Sequence, residues 1–324
     1  MREVQLSIQS WPTRSPFRIT GYTFTEAQVL YVTMTEQGVT GHGEAAGVYY
    51  LDETGNSMLA QAEAIKSTLQ QGVGREQLRT LLPAGGARNA IDCALWDLEA
   101  KQSGKRIWEL TGLKATDIIT VNTVGIDTPE AMAMRAASLD TPKIKVKLDG
   151  NIPLERITAV CRARPDADIV VDVNQGWTFE QLVSLAPEFK ALGVKMIEQP
   201  LPRGGDEQLE TYTSPIILCA DESCLDTSEL EQASRRYQMI NIKLDKTGGL
   251  TEALDLAHQA RGKGLKLMVG NMLGTSLAMA PAFVIAQLCE FADLDGALFL
   301  RKDREHPMSY TGGNVSAFSS LLWG

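Results

Sequence analysis

The chain has 324 residues, 44% of them hydrophobic and 22% charged, so it can bury a core larger than one small domain needs. Acidic residues outnumber basic ones by 40 to 31, for a net charge of −9, and no basic block is present, which argues against nucleic-acid and anionic-membrane binding. Five scattered cysteines without a CxxC pair, no long apolar run and no signal-like N-terminus predict a soluble, cytoplasmic protein with no membrane partner, and leave a homo-oligomer open.

In chain order, residues 2–9 and 27–36 read as strands. The stretch between them, 10–25, reads as a loop carrying Trp11, Phe17, Tyr22 and Phe24. GHGEAAGVY (41–49) reads as a glycine-rich turn without the spacing of a phosphate loop. Residues 58–69 fit a helix. Residues 87–102 fit one better, because Ile91, Ala94, Leu95 and Leu98 fall on one face and Gly104 follows as a stop. Strands followed by helices predict an α+β unit over residues 1–115. The C-terminal segment 301–324 is too short for a regular last barrel helix and is expected to pack back on that unit.

TPKIKVKLD (141–149) reads as a strand with Lys143, Lys145 and Lys147 on one face and Ile144, Val146 and Leu148 on the other. After it come apolar runs, each ending in a polar residue. The steps from Lys147 through Asp172, Glu198, Asp221, Lys246 and Asn271 to Asp295 are 25, 26, 23, 25, 25 and 24, and Asn122 precedes Lys147 by 25. That repeat predicts parallel strand–helix units over residues 116–300, with polar side chains at the C-terminal strand ends where a barrel builds its active site.

Asp172, Glu198 and Asp221 would then stand on three adjacent strands. An all-carboxylate set suits a hard cation, Mg²⁺ first, one per subunit. The histidines lie outside the strand ends and no cysteine pair has ligand spacing, which disfavours zinc. Lys147 stands one strand before the carboxylates and Lys246 one strand after them. Two amines flanking a metal-held substrate could take a proton from one face and return it on the other. A Schiff-base lysine barrel is the alternative of different chemistry.

KVK at Lys145–Lys147, VDVN, EQP, ADES and DKTGG, together with ARNAIDCALWDLEAK, resemble the enolase superfamily, specifically its muconate-lactonising subgroup. The resemblance covers nearly the whole chain. It implies an α/β fold, a modified TIM barrel, (β/α)₇β, under an α+β capping domain. DLDG resembles the Asp-x-Asp motif of the dipeptide epimerases, whose two acids hold the substrate α-ammonium. The resemblance therefore implies inversion of the C-terminal residue of a dipeptide, with Asp293 and Asp295 on the ammonium. It gives Lys145 to the substrate carboxylate and places Thr123 and Asn271 in the pocket. o-Succinylbenzoate synthase and N-succinylamino-acid racemase are the rivals within the subgroup. Two positions depart from the pattern: Phe24 stands where members acting on Ala-Glu carry an arginine, and Asn271 replaces a cysteine. Phe24 shifts the expected second residue towards apolar side chains, with Arg14 and Arg18 the nearest substitutes for the missing cation.

Overall fold

The structure is a computed structural model and describes residues 1–19 and 21–324. Strands β1 (Glu3–Ile19), β2 (Tyr22–Glu36) and β3 (Val39–Ala46) form an antiparallel sheet in that order. Helices α1 (Gly55–Ala64), α2 (Lys66–Gln70), α3 (Arg75–Leu81) and α4 (Gly86–Ser103) follow, then the short α5 (Ile107–Thr111). Thr54 caps α1 by accepting from the Ser57 N–H at 3.1 Å. The helix predicted over 58–69 is thus two helices, interrupted at Ile65.

The stretch 10–25 is not a loop. β1 and β2 continue through it as a long hairpin, with an irregularity in register between Pro12 and Phe17. Thr20, within that stretch, lies outside the described residues. Two prolines are tolerated because β1 is an edge strand, where a missing N–H costs no ladder bond on the open side. The hairpin is tied down by Arg301, whose N–H donates to Pro12 O and whose Nε donates to Thr13 O, both at 2.9 Å.

GHGEAA is likewise strand rather than turn. Its glycines serve a close approach: a Cβ on Gly43 would lie 2.0 Å from Ala90 O, and one on Gly41 would lie 2.3 Å from Ala94 O. β3 can therefore lie directly on the backbone of α4, and that contact joins sheet to helices around Leu30, Val32, Met34, Ile91 and Leu98.

After the short β4 (Ile118–Ile119), eight parallel strands run in sequence order. They are β5 (Asn122–Val124), β6 (Lys143–Lys147), β7 (Asp168–Asp172), β8 (Met196–Glu198), β9 (Ile217–Ala220), β10 (Met239–Lys243), β11 (Lys266–Gly270) and β12 (Phe291–Ala292). Val121 N–H donates to Ala292 O at 2.8 Å and Thr120 bridges Ala292, which closes the sheet into a barrel. The crossovers carry α6 (Pro129–Ala137), α7 (Pro153–Ala163), α8 (Phe179–Ala191), α9 (Leu230–Arg236), the one-turn α10 (Leu244–Thr247) with α11 (Leu250–Gly262), and α12 (Ser276–Ala286). Between β8 and β9 the only helical element is a 3-10 turn, Glu207–Glu210. The α/β fold is thus the modified barrel under an α+β cap.

Alternation along the strands sorts the side chains. Ile144, Val146 and Leu148 point outward into the main core beneath the helices. Inside, Val121, Val170, Met196, Cys219, Met239 and Met268 fill the barrel one layer before the polar strand ends. The tail forms β13 (Tyr310–Thr311) and β14 (Asn314–Val315), which pair with each other, and β14 also pairs with β4. It ends against the cap: Trp323 Nε1 donates to Cys93 O at 2.9 Å, and Gly324 N–H donates to Asp97 at 2.7 Å. All five cysteines are free. Among the described residues no helix is long and apolar enough to cross a membrane.

Candidate active site

A cavity of about 400 Å³ opens at the C-terminal ends of the barrel strands, under the β1–β2 hairpin. Its polar floor includes Thr123, Lys145, Lys147, Asn174, Lys243, Asn271, Asp293 and Asp295. Its outer wall is aromatic, built by Phe17 and Phe24 of the hairpin with Tyr49 and Phe299. Strand periodicity does the positioning. Lys145 and Lys147 alternate inward on β6, and β7, β8 and β9 bring Asp172, Glu198 and, one residue past the strand, Asp221 alongside. Asp172 and Glu198 are direct register partners.

These groups bond one another tightly. Lys145 is 1% exposed, and its Nζ lies 2.9 Å from Asp172, 2.8 Å from Glu198 and 2.7 Å from Asp293. Lys147 Nζ lies 2.6 Å from Asp172 and donates to Asn174 Oδ1 at 2.9 Å. Burial alone would lower the Lys145 pKa, but Asp172, Asp293 and Glu198 outweigh it and hold the ammonium well above its ordinary value. For Asp172, burial works upward and is overcome by Lys145 and Lys147, leaving the carboxyl at about 2. Next to Asp221 the buried Glu222 is pushed up to about 8 by burial and by the charges of Asp221 and Asp172. Sequence reasoning had passed over it.

One expected residue does not reach the cavity. Lys246 sits on α10, 2% exposed, beneath Asp221. Its Nζ donates to Asp221 Oδ1 at 2.7 Å and to the carbonyls of Asp221, Cys224 and Asn241 at 2.5, 3.0 and 2.8 Å. The amine that lines the cavity from this strand is Lys243, with Nζ 2.6 Å from Asp221 Oδ2. β10 ends at Lys243 and the chain then turns into a helix, so counting a fixed interval overshot the strand end by three residues. The signal that finds Lys243 is period-two alternation in MINIK. Met239, Asn241 and Lys243 share the inner face, while Ile240 and Ile242 face the outer core. Across the ladder, Gly270 leaves the room: a Cβ there would meet Asn241 at 2.8 Å and Lys243 Cε at 3.0 Å.

Among the described residues, no three His, Cys, Asp or Glu side chains converge as a metal cluster, and ammonium groups contact Asp172, Glu198 and Asp221. The donor set still fits a hard divalent cation. Asp172, Glu198 and Asp221 are fully buried carboxylates at the ends of consecutive strands, and all of their donor atoms are hard oxygens. Glu198 Oε2 has the Lys145 ammonium, 2.8 Å away, as its one partner, so this buried carboxylate oxygen keeps lone pairs that a cation could use. Asn241 Nδ2 fixes the other oxygen of Glu198 at 2.8 Å. Gln199, in a left-handed conformation at φ 35°, accepts from the N–H groups of Asp221 and Ser223 at 2.9 and 3.0 Å and so sets the third carboxylate.

Opposite the carboxylates, Asp293 and Asp295 follow β12. Asp295 accepts from Thr123 N–H at 2.9 Å, and burial together with Asp293 pushes it up to about 7. Asn271 Nδ2 bonds Asp293 O and steadies this corner. Phe24 lines the cavity as expected. Arg14 and Arg18 do not, and the lining contains no arginine among the described residues.

Residues 1–112 match the mandelate racemase/muconate lactonizing enzyme N-terminal domain, and residues 128–318 match the enolase C-terminal domain-like family. The chain belongs to the enolase superfamily. Within that superfamily it is 43% identical over 319 residues to L-Ala-D/L-Glu epimerase of Escherichia coli K12, across 97% of this chain and 99% of the relative. It is 42% identical to N-acetyl-D-glutamate racemase of a Pseudoalteromonas species, across 91% and 95%. The dipeptide epimerase of Enterococcus faecalis V583, complexed with Mg and L-Leu-L-Tyr, superposes with a TM-score of 0.90 at 25% identity, covering 99% of this chain and 98% of that one. These relatives are epimerases and racemases, and the present superfamily member is an isomerase acting on amino acid derivatives.

Proposed function

We propose that this protein is a dipeptide epimerase that inverts the α-carbon of the C-terminal residue by proton transfer between Lys147 and Lys243. The observation that carries the reading is the placement of these two lysines. β6 and β10 are four strands apart in an eight-stranded closed barrel, so their inward side chains face each other across the axis, and both line the cavity. The three carboxylate-bearing strands, β7, β8 and β9, lie between them. Lys147 would act on one face of the α-carbon and Lys243 on the other, one as base and the other as acid, exchanging roles with the direction of reaction.

Lys145 would bind the substrate carboxylate, and Asp293 with Asp295 would bind the α-ammonium, whose charge needs anionic partners in so buried a place. Asp172, Glu198 and Asp221 would hold one Mg²⁺. Bound there, the cation would neutralise charge developing at the substrate carboxylate and take over the oxygens that now hold the lysines. The second side chain would lie against Phe17, Phe24 and Tyr49. Desolvating a glutamate there without a cation costs several kcal/mol, whereas burying an apolar side chain gains about 1.5–3 kcal/mol.

N-acyl amino acid racemisation is the second reading, favoured by the Pseudoalteromonas relative and by the upward shift of Asp295, which as a neutral acid could donate to an acyl group. A dipeptide library in D₂O, read by mass spectrometry for α-deuterium, tests the proposal, with N-acetylated amino acids alongside. Exchange confined to N-acyl substrates would replace the first reading with the second.

A further inference from the structure

Beside the substrate cavity lies a second one of about 520 Å³, open to solvent, lined by Arg14, Arg18 and Arg135. In a chain of net charge −9, three arginines face this space against a single carboxylate, Asp127. Asp127 is already engaged, its Oδ1 accepting from the Thr128 N–H at 2.7 Å. Arg14 is anchored through Nε to Leu300 O at 2.9 Å, which leaves both of its terminal nitrogens to the cavity. Among the described residues neither Arg18 nor Arg135 makes an ion pair. The two cavities share Phe17, Thr123 and Phe299. Phe17 and Phe299, with ring centroids 4.5 Å apart, form the partition.

Thr123 is the residue that gives the second cavity its meaning. Its N–H donates to Asp295 at 2.9 Å, so the basic space adjoins the two aspartates assigned to the α-ammonium, while of the residues assigned to the second side chain it touches only Phe17 and neither Phe24 nor Tyr49. We infer that the arginine-lined cavity is a subsite for an acidic side chain on the first residue of the dipeptide, the carboxylate passing beside Thr123 and the Phe17–Phe299 partition. A carboxylate there meets planar guanidinium donors suited to bidentate pairing. The substrate class is then dipeptides with glutamate first and an apolar residue second. Arg14 and Arg18, at the hairpin where a cation for the second residue was sought, serve the first residue instead.

This inference rests on the epimerase reading, and the experiment separates the two. kcat/KM is measured for L-Glu-L-Leu, its neutral isostere L-Gln-L-Leu, and L-Ala-L-Leu, in the unmodified protein and in Arg18→Gln/Arg135→Gln. That double variant spares the Arg14–Leu300 anchor. The expected result is a Glu/Gln ratio above one that falls roughly tenfold in the variant, as for loss of charge-assisted bonds partly screened by solvent, and that falls with added salt. A ratio at or below one, or one the variant leaves unmoved while L-Ala-L-Leu is turned over, overturns this inference alone. Absence of α-deuterium exchange on every dipeptide overturns the epimerase reading and this inference with it.

Discussion

Lys243 Nζ lies 2.6 Å from Asp221 Oδ2 on the cavity side of that carboxylate. Lys246 holds the other oxygen from beneath. Two lysines three residues apart therefore meet one carboxylate from opposite sides, and only the first can meet a substrate. Lys243→Ala and Lys147→Ala should each lower kcat for epimerisation by about 10²–10⁴-fold. Each variant should still exchange the α-proton of one stereoisomer in D₂O. Lys246→Met should instead destabilise the fold by roughly 3–5 kcal/mol, because it removes one of the two ammoniums on buried Asp221 and leaves the carbonyls of Cys224 and Asn241 without that donor. Denaturant melts of all three variants separate these outcomes. A folded, fully active Lys243→Ala would remove Lys243 from the chemistry.

Chelation should abolish turnover, and Mg²⁺ should restore it. Mg²⁺ should also raise Tm in the unmodified protein, since a ligand that binds only the folded state stabilises it. Glu198→Gln should lose that rise. Undiminished activity after verified metal removal would contradict the assignment of Asp172, Glu198 and Asp221.

Asp295 predicts a pH profile. Its carboxyl, pushed up to about 7, binds an ammonium only when ionised, so kcat/KM for a free dipeptide should rise as pH climbs through that value. It should fall again above about 8, as the substrate amine loses its proton. Asp295→Asn should remove the acid limb. If an N-acyl compound is the true substrate, the protonated acid is the binding form and the limb has the opposite sign. Steady-state kinetics across this range decide between the two substrates.

The aromatic wall predicts specificity for the second residue. L-Ala-L-Leu and L-Ala-L-Phe should be preferred to L-Ala-L-Glu by more than tenfold in kcat/KM, from the loss of roughly 1.5 kcal/mol or more of burial. Phe24→Arg should narrow or reverse the preference. Preference for L-Ala-L-Glu in the unmodified protein would end the argument from Phe24 without touching the lysines.

Gly43 predicts a stability effect remote from the chemistry. Because an added Cβ would stand 2.0 Å from the Ala90 carbonyl oxygen, Gly43→Ala should force β3 off α4 and cost about 1–3 kcal/mol. Equilibrium unfolding measures this directly. An unchanged midpoint would mean that the sheet and helix can separate at no cost.

By itself the sequence determined what depends on chemical type and regular spacing. Apolar runs at a near-constant interval announced the barrel, and the polar residues at their ends announced where Asp172, Glu198 and Asp221 would meet. Alternation put Lys145 and Lys147 inside, because period-two geometry is a local property of the strand. Tertiary structure decided where each strand stops. Lys246 kept the interval and lost the cavity, because β10 ends at Lys243 and the chain coils beneath Asp221. The hairpin over 10–25 and the strand at 39–46 were hidden for a related reason. Prolines and glycines read locally as turns, but one strand is a free edge and the other lies against a helix backbone, and only the assembled neighbours create those conditions. The same holds for Arg14, Arg18 and Arg135, far apart in sequence for the last and unremarkable in composition. Folding β1 over the end of β5 and beside α6 is what makes them line one cavity.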